Sequence, residues 1–314
     1  MPHACWAENK SWPSKVCRAV VWLNRACLGN DAKSSGKAPG IPIFLSLEDA
    51  SVTAEAMADE WALFSAEESP EEGVNAQELL KIRDAANGVL SFHSGVEESL
   101  LLQVEREAPD GDWESVLQVV DHFCYGSHWM MHCGDQKATV LEQALESQQA
   151  VVAERGLRAL ELGTYCGYSA VRLAGKLREG DSLISVDVKQ SCVGWAGRLL
   201  HKAGLHDRVT LLLGTLAQLC ESGEIHGSFD FVFLDHAKDS YLEDLRLLVE
   251  SSMLTPGCRV VADNVLCFQP LTEYLDYVRD PEGPFSESEL HEGRIEYSAE
   301  EEGIQDGVEV SIAR

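Results

Sequence analysis

From residue 97 onward the apolar positions follow two rhythms. Residues 97–107 and 113–123 carry apolar side chains at helical spacing on either side of the turn-forming APDGD, and predict two helices lying over a core. Beyond them, short apolar runs (LRALEL, SLISVDV, RVTLLLG, FDFVFLD and CRVVADN) are each followed by ten or more residues of mixed character. Strands buried on both faces read as continuous apolar runs, and their alternation with helical stretches predicts an α/β fold with a doubly wound, mostly parallel sheet. The final RIEYS and GVEVSIAR alternate apolar with polar residues around an acidic, glycine-containing turn. That pattern predicts a reversed C-terminal hairpin at the sheet edge, completing seven strands. No internal repeat is present.

Residues 1–95 lack this regularity. The first 40 hold Lys10, Lys15, Arg18, Arg25, Lys33 and Lys37 against only Glu8 and Asp31. SSGKAPG at 34–40 reads as a flexible linker, and an acidic stretch (Glu67, Glu68, Glu71, Glu72) precedes a helix expected over 76–89. We expect a partly disordered extension over 1–95 and a catalytic domain over 96–314. A basic, acid-poor start also fits an organelle-targeting segment beside the plainer reading of a mobile tail.

Charge and cysteine usage narrow the function. The 314 residues include 52 acidic and 25 basic side chains, a formal charge of −27. Binding phosphate backbones requires clustered cations, so nucleic acid is an improbable partner, as is an anionic membrane surface. The ten cysteines form no CxxC pair and no hydrophobic signal region leads the chain, which fits free thiols in a reducing, cytoplasmic compartment. The apolar runs are far shorter than the roughly 20 residues of a membrane-spanning helix.

In an open α/β sheet, ligands sit beyond the carboxyl ends of the strands, and here those ends are polar. The first run ends in Glu161-Leu-Gly163-Thr-Tyr165-Cys-Gly167-Tyr-Ser169, where glycines let the backbone turn tightly and approach a ligand. Its GxxxG spacing is neither the GxGxxG of a dinucleotide site nor a P-loop, and a plain strand-to-helix turn would also account for it. The second run ends at Asp187, where nucleotide-binding units place an acid for ribose hydroxyls. The fourth and fifth end in Asp235-His236-Ala237-Lys238 and Asp263-Asn264. Asp235, Asp263 and Asn264 offer three hard oxygen donors suited to Mg²⁺, although each pair could also cap the helix that follows.

ELGTYCGYSAVRLA, FVFLDHAKDSYL and VVADNVLC resemble the corresponding segments of the catechol O-methyltransferase family, as do SHWMMHCGDQK, RIEYS and QDGVEVSIAR. The resemblance covers about two thirds of the chain in order and leaves residues 1–95 without a counterpart. It implies a Rossmann-like methyltransferase fold that uses S-adenosylmethionine and Mg²⁺ to methylate a catechol-type or other diphenol substrate, working as a monomer. It assigns cofactor contacts to Cys133, Glu161, Gly163, Tyr165, Gly167, Ser169, Asp187, Val188, Leu216, Ala217, Asp235 and His236. Within that set Gly163 and Ser169 meet the methionine end, Asp187 the ribose, and His236 the adenine. Asp235, Asp263 and Asn264 match the metal ligands, Lys238 the general base, Glu296 the acid that holds the second hydroxyl, and Trp129, Met131 and Phe268 the substrate wall.

The chemistry explains those residue types. A phenol with a pKa of about 10 is a poor nucleophile at neutral pH, so a cation coordinating both catechol oxygens would favour the oxyanion and orient it. A lysine that takes the proton must itself be neutral, a state that burial and a neighbouring cation favour. The sequence departs from the family at Ala237, in place of an adenine-flanking tryptophan, and at Leu216-Ala217, in place of polar residues. Phe268 replaces a wall proline, so a hydroxycinnamate, flavonoid or caffeoyl thioester stands beside catechols as a substrate. A catalytically silent cofactor-binding or interaction protein is the rival from another class.

Overall fold

The computed structural model describes residues 95–267, 270–298 and 304–314. The expectations for residues 1–94, including a helix over 76–89, and the placement of Phe268 lie outside the described residues. Along the described chain run α1 (Val96–Glu107), α2 (Trp113–Gly126), α3 (Gly134–Val151), β1 (Arg158–Leu162), α4 (Tyr168–Lys176), β2 (Ser182–Asp187) and α5 (Gln190–Lys202). There follow β3 (Val209–Leu213), α6 (Leu216–Glu221), β4 (Phe229–Leu234), α7 (Tyr241–Glu250), β5 (Leu254–Ala262), α8 (Thr272–Arg279), β6 (Phe285–Arg294) and β7 (Gln305–Ala313).

The sheet order is β3-β2-β1-β4-β5-β7-β6; β1 to β5 are parallel, and β7 lies antiparallel between β5 and β6. Successive strand residues point to opposite faces, so each central strand feeds two cores. In β4, Phe231 and Phe233 join α1 to α5 on one face, while Phe229, Val232 and Leu234 join α6, α7 and α8 on the other. All six residues of β4 are buried, which is why its run reads as unbroken apolar sequence. Local chemistry sets the helix starts. Asp112 accepts a hydrogen bond from the Ser115 amide at the head of α2, and Thr215 with Gln218 forms a capping box on α6.

Register aligns the strand ends. Leu162 is level with both Val186 and Leu234, and Leu234 is level with Ala262. The residues that follow, Gly163, Asp187, Asp235 and Asp263, therefore line one edge of the sheet. Strand order reverses between β1 and β4, the crevice where such sheets bind ligands.

The last hairpin differs from its predicted form. β6 ends at Arg294, so Glu296 lies not in an alternating strand beside Arg294 and Ser298 but in a turn, buried, with Tyr297 at φ 54°. The Tyr297 ring is buried and its hydroxyl donates to Asp121 at 2.9 Å, while the Ser298 amide returns to the Ile295 carbonyl. Anchoring that ring takes the backbone out of the strand and turns Glu296 inward.

Gly163 is the tightest point of the β1 edge. Its φ is +103°, and a Cβ there would sit 2.1 Å from the Asp235 carbonyl oxygen. Gly163→Ala is expected to lower unfolding free energy by at least about 3 kcal/mol, since both the clash and the backbone oppose it. Exposed Gly194, within α5 with nothing near its missing Cβ, is the contrasting site: Gly194→Ala should stabilise by about 0.5–1 kcal/mol. Urea unfolding of the two variants tests both signs.

Candidate functional site

The loop from β1 to α4 contains three left-handed residues within five: Gly163, Tyr165 at φ 45° and Gly167 at φ 89°. It is pinned to the neighbouring strands by Gly163 N–H donating to the Val186 carbonyl at 2.9 Å and Asp235 N–H donating to Leu162 at 2.8 Å. Asp187 closes β2, with one carboxylate oxygen accepting from the Tyr165 amide and the other from the Lys189 amide, each at 2.9 Å. Those two bonds fix its orientation, and each oxygen keeps a lone pair. A non-glycine residue at positive φ is a conformation proteins tolerate mainly at functional sites, and Tyr165 occupies one here.

Behind this loop Glu161 is fully buried on β1. Ser185 donates to its Oε2, and its Oε1 has no hydrogen-bond partner. The Tyr165 hydroxyl donates to buried Glu97 at 3.3 Å, and the Tyr165 ring lies 5.4 Å from His132. Cys133 caps α3 and is buried, its thiol pushed upward chiefly by burial. Ser169 lies in the buried first turn of α4. His236 stacks on Tyr241 with ring centroids 4.9 Å apart and is fixed by Asp244 at 2.9 Å from its Nε2. Of the other residues matched to the cofactor, Val188 and Ala217 are exposed, whereas the Leu216 side chain belongs to the core. The side chains of Cys133 and Leu216 both belong to the core, so each would offer its backbone to a ligand.

The second half of the site lies beyond β4 and β5. The Lys238 Nζ donates to Asp235 Oδ1 at 3.1 Å, Asn264 Oδ1 at 2.9 Å, the Asp263 carbonyl at 3.3 Å and the Tyr241 hydroxyl at 2.7 Å. Asn264 has φ 54°, a backbone state asparagine accepts more readily than most residues. Glu296 lies 3.5 Å from the Asn264 amide nitrogen and 2.9 Å from Lys137. Trp129 is tied to the same turn, its indole N–H donating to the Glu296 carbonyl at 3.0 Å, and Met131 is half-buried nearby in sequence. The structure therefore brings Asp235, Lys238, Asn264, Glu296 and Trp129 into one connected group.

Lys137 and Asp306 are the members that sequence reading passed over. Lys137 is buried and contacts Asp263, Glu296 and Asp306 at 2.8 to 2.9 Å. Its signal was available: it shares the apolar stripe of α3 with Leu141 and Leu145, where a lysine is out of place unless paired.

Acidic groups outnumber lysines in this half: among the described residues, the Asp235, Asp263, Glu296 and Asp306 carboxyls gather around Lys137 and Lys238. Burial, opposed by Lys137, raises the Asp263 and Glu296 carboxyls, whereas Lys137 and Asn264 outweigh burial and lower Asp306. Among the described residues no three His, Cys, Asp or Glu side chains could hold a metal by themselves. The available set is two carboxylates and an amide oxygen, and it fits a hard cation that keeps other oxygens in its remaining positions.

Burial above all raises the Glu161 carboxyl from about 4.5 to about 7, with Ser169 and Ser185 opposing and Asp235 and Asp187 adding to the rise. The folded-state value exceeds the unfolded one, so this contribution is fully present below pH 4.5 and is lost as pH rises through about 7. Glu161→Gln is neutral at every pH; its stability relative to the native chain should grow across that window by up to about 3 kcal/mol. Urea unfolding at pH 4.5 and pH 8 measures the difference, and a flat or reversed trend would contradict the assignment.

The family model described as O-methyltransferase matches residues 126–288. The chain is 36% identical over 213 residues to catechol O-methyltransferase B of Danio rerio, covering 67% of this chain and 77% of that protein. It is 37% identical over 194 residues to catechol O-methyltransferase of Bos taurus, covering 60% and 68%. It is also 30% identical over 230 residues to the transmembrane O-methyltransferase of Homo sapiens, covering 72% and 75%; among the described residues here, no helix is long and apolar enough to cross a membrane. A match over half the chain, aligned with the strand-end residues described above, means that the chain belongs to the catechol O-methyltransferase family of S-adenosylmethionine-dependent O-methyltransferases.

Proposed function

We propose that this chain transfers the methyl group of S-adenosylmethionine to one hydroxyl of a catechol-type substrate, with Mg²⁺ held by Asp235, Asp263 and Asn264 and Lys238 as general base. The observation that carries the reading is the convergence of Asp235 Oδ1 and Asn264 Oδ1 on the Lys238 Nζ at adjacent strand ends. Oxygens that already gather around one positive charge are preorganised for another. When bound, the metal would supply the charge that favours an ionised phenol and would orient both hydroxyls.

The side chains divide the remaining work. Glu161, Gly163, Tyr165, Gly167 and Ser169 would hold the methionine end of the donor. Glu161 Oε1, buried without a partner, is an acceptor suited to its ammonium group. Asp187 would accept hydrogen bonds from the ribose, with Val188, Ala217, His236 and the backbones of Cys133 and Leu216 bounding the rest. Trp129 and Met131 would hold the aromatic ring flat, and Glu296 would accept a hydrogen bond from the hydroxyl that is not methylated. Lys238 Nζ would take the proton of the other hydroxyl as a neutral amine, the form that a bound cation beside it would favour. That oxygen bonds to the methyl carbon as the carbon–sulfur bond breaks, turning the sulfonium into a neutral thioether. Correct alignment is worth several powers of ten in rate, which is the reason for so many fixed groups.

Methyl transfer from labelled S-adenosylmethionine to catechol, measured with and without Mg²⁺, tests the reading. Product should require Mg²⁺, and Lys238→Ala should lower kcat by about 100-fold or more, the usual range for losing a general base. Glu296→Gln should chiefly raise KM for catechol. Absence of turnover with any diphenol, despite S-adenosylhomocysteine binding, would overturn the assignment and favour a silent binder.

A further inference from the structure

We propose that Lys137 is a positioning residue for methyl transfer: its ammonium ties Glu296 to Asp263 and, through Asp306, sets which end of the Asn264 amide faces the active site. The inference rests on the function proposed above. It adds a residue that neither touches the reacting atoms in that scheme nor belongs to the strand-end motifs.

The geometry is specific. Lys137 reaches from the first turn of α3 to Asp263 Oδ1 at 2.9 Å, Glu296 Oε2 at 2.9 Å and Asp306 Oδ2 at 2.8 Å. The ammonium donates a hydrogen bond to Asp306 and forms ion pairs with Asp263 and Glu296, so it meets three carboxylates from three separate parts of the sheet edge. Its side chain is 4% exposed, and that of Asp306 is fully buried. Asp306 Oδ2 also accepts from Asn264 Nδ2 at 2.7 Å, so the opposite end of the amide, Oδ1, is the one turned to Lys238. Asparagine can present either a donor or an acceptor by rotating its amide; a carboxylate on one side removes that freedom. The chain Lys137, Asp306, Asn264 therefore presents an oxygen where a cation ligand is required.

The same lysine joins the substrate wall to the acid. α3 starts so close to the Glu296 turn that a Cβ on Gly134 would lie 2.5 Å from the Glu296 Cβ. Trp129, just before α3, donates to the Glu296 carbonyl, and Lys137, just inside α3, holds its carboxylate. The wall and the acid are fixed from one segment. If packing alone decided the position, an apolar residue such as methionine would fill the space at lower desolvation cost.

The test uses Lys137→Met, Glu296→Gln, their combination, and the charge-balanced Lys137→Met/Asp306→Asn, which stays foldable if the single variant is too destabilised by three unpaired carboxylates. Expected results are cooperative melting and S-adenosylhomocysteine affinity within about threefold of native, with kcat/KM for catechol lowered about 100-fold. Calorimetric Mg²⁺ affinity without substrate should weaken about tenfold or more in the charge-balanced variant, the scale seen when groups that orient metal ligands are removed. In the Glu296→Gln background, the effect of Lys137→Met on KM should shrink to under about threefold, because the group it positions is already gone. Native turnover together with near-native kcat/KM and Mg²⁺ affinity in the folded charge-balanced variant would overturn the role of Lys137 alone. A native chain that methylates no diphenol would overturn the proposed function, and this role with it.

Discussion

Desolvation of three carboxylates around the Lys137 ammonium is the constraint on which the β5, β6 and β7 side of the site depends. Asp263 ends β5, Glu296 lies in the turn after β6, and Asp306 begins β7. Isolated ions in such a place would be prohibitively unfavourable, and removing one partner of a buried ion pair is far more damaging than replacing the whole set. The cluster therefore demands that α3, two strand ends and the last turn keep one relative geometry. Four acidic groups gather around two lysines there, and burial raises the Asp263 and Glu296 carboxyls.

The β1 and β2 side relies on backbone shape. Left-handed residues at Gly163, Tyr165 and Gly167 fold the loop back so that its amides bond the Val186 carbonyl, the Thr164 carbonyl and the Asp187 carboxylate, which fixes the loop against β2. Its charge is modest beside the other half, with buried Glu161 raised toward neutrality by burial. The two halves meet at the crevice between β1 and β4, where Asp235 N–H bonds the Leu162 carbonyl and Gly163 passes too close to Asp235 for any side chain. A rigid junction there would set the distance between methyl donor and acceptor in the proposed reaction.

Much of this was legible from residue order. The parallel strands were readable because both faces of the sheet are covered, so their runs are apolar throughout; β4 is the clearest instance. Strand-end acids were readable because the carboxyl edge of such a sheet is where polar residues have a use. The Glu296 turn was not readable. RIEYS alternates as a strand should, but the buried Tyr297 ring and its bond to Asp121, 176 positions away in sequence, override the local pattern. Lys137 was missed for a related reason: a lone lysine in an amphipathic helix ordinarily reaches solvent, and only three acids from distant segments make its burial tolerable.

By itself, then, the sequence determined the alternation of strand and helix, the polar strand ends and the family, since these follow from periodicity and short motifs. The tertiary structure decided the inward turn of Glu296, the union of Asp263, Glu296 and Asp306 on one ammonium, and the amide orientation of Asn264. Those features are interactions between groups far apart in the chain, and their energies exist only once folding has excluded water from around them.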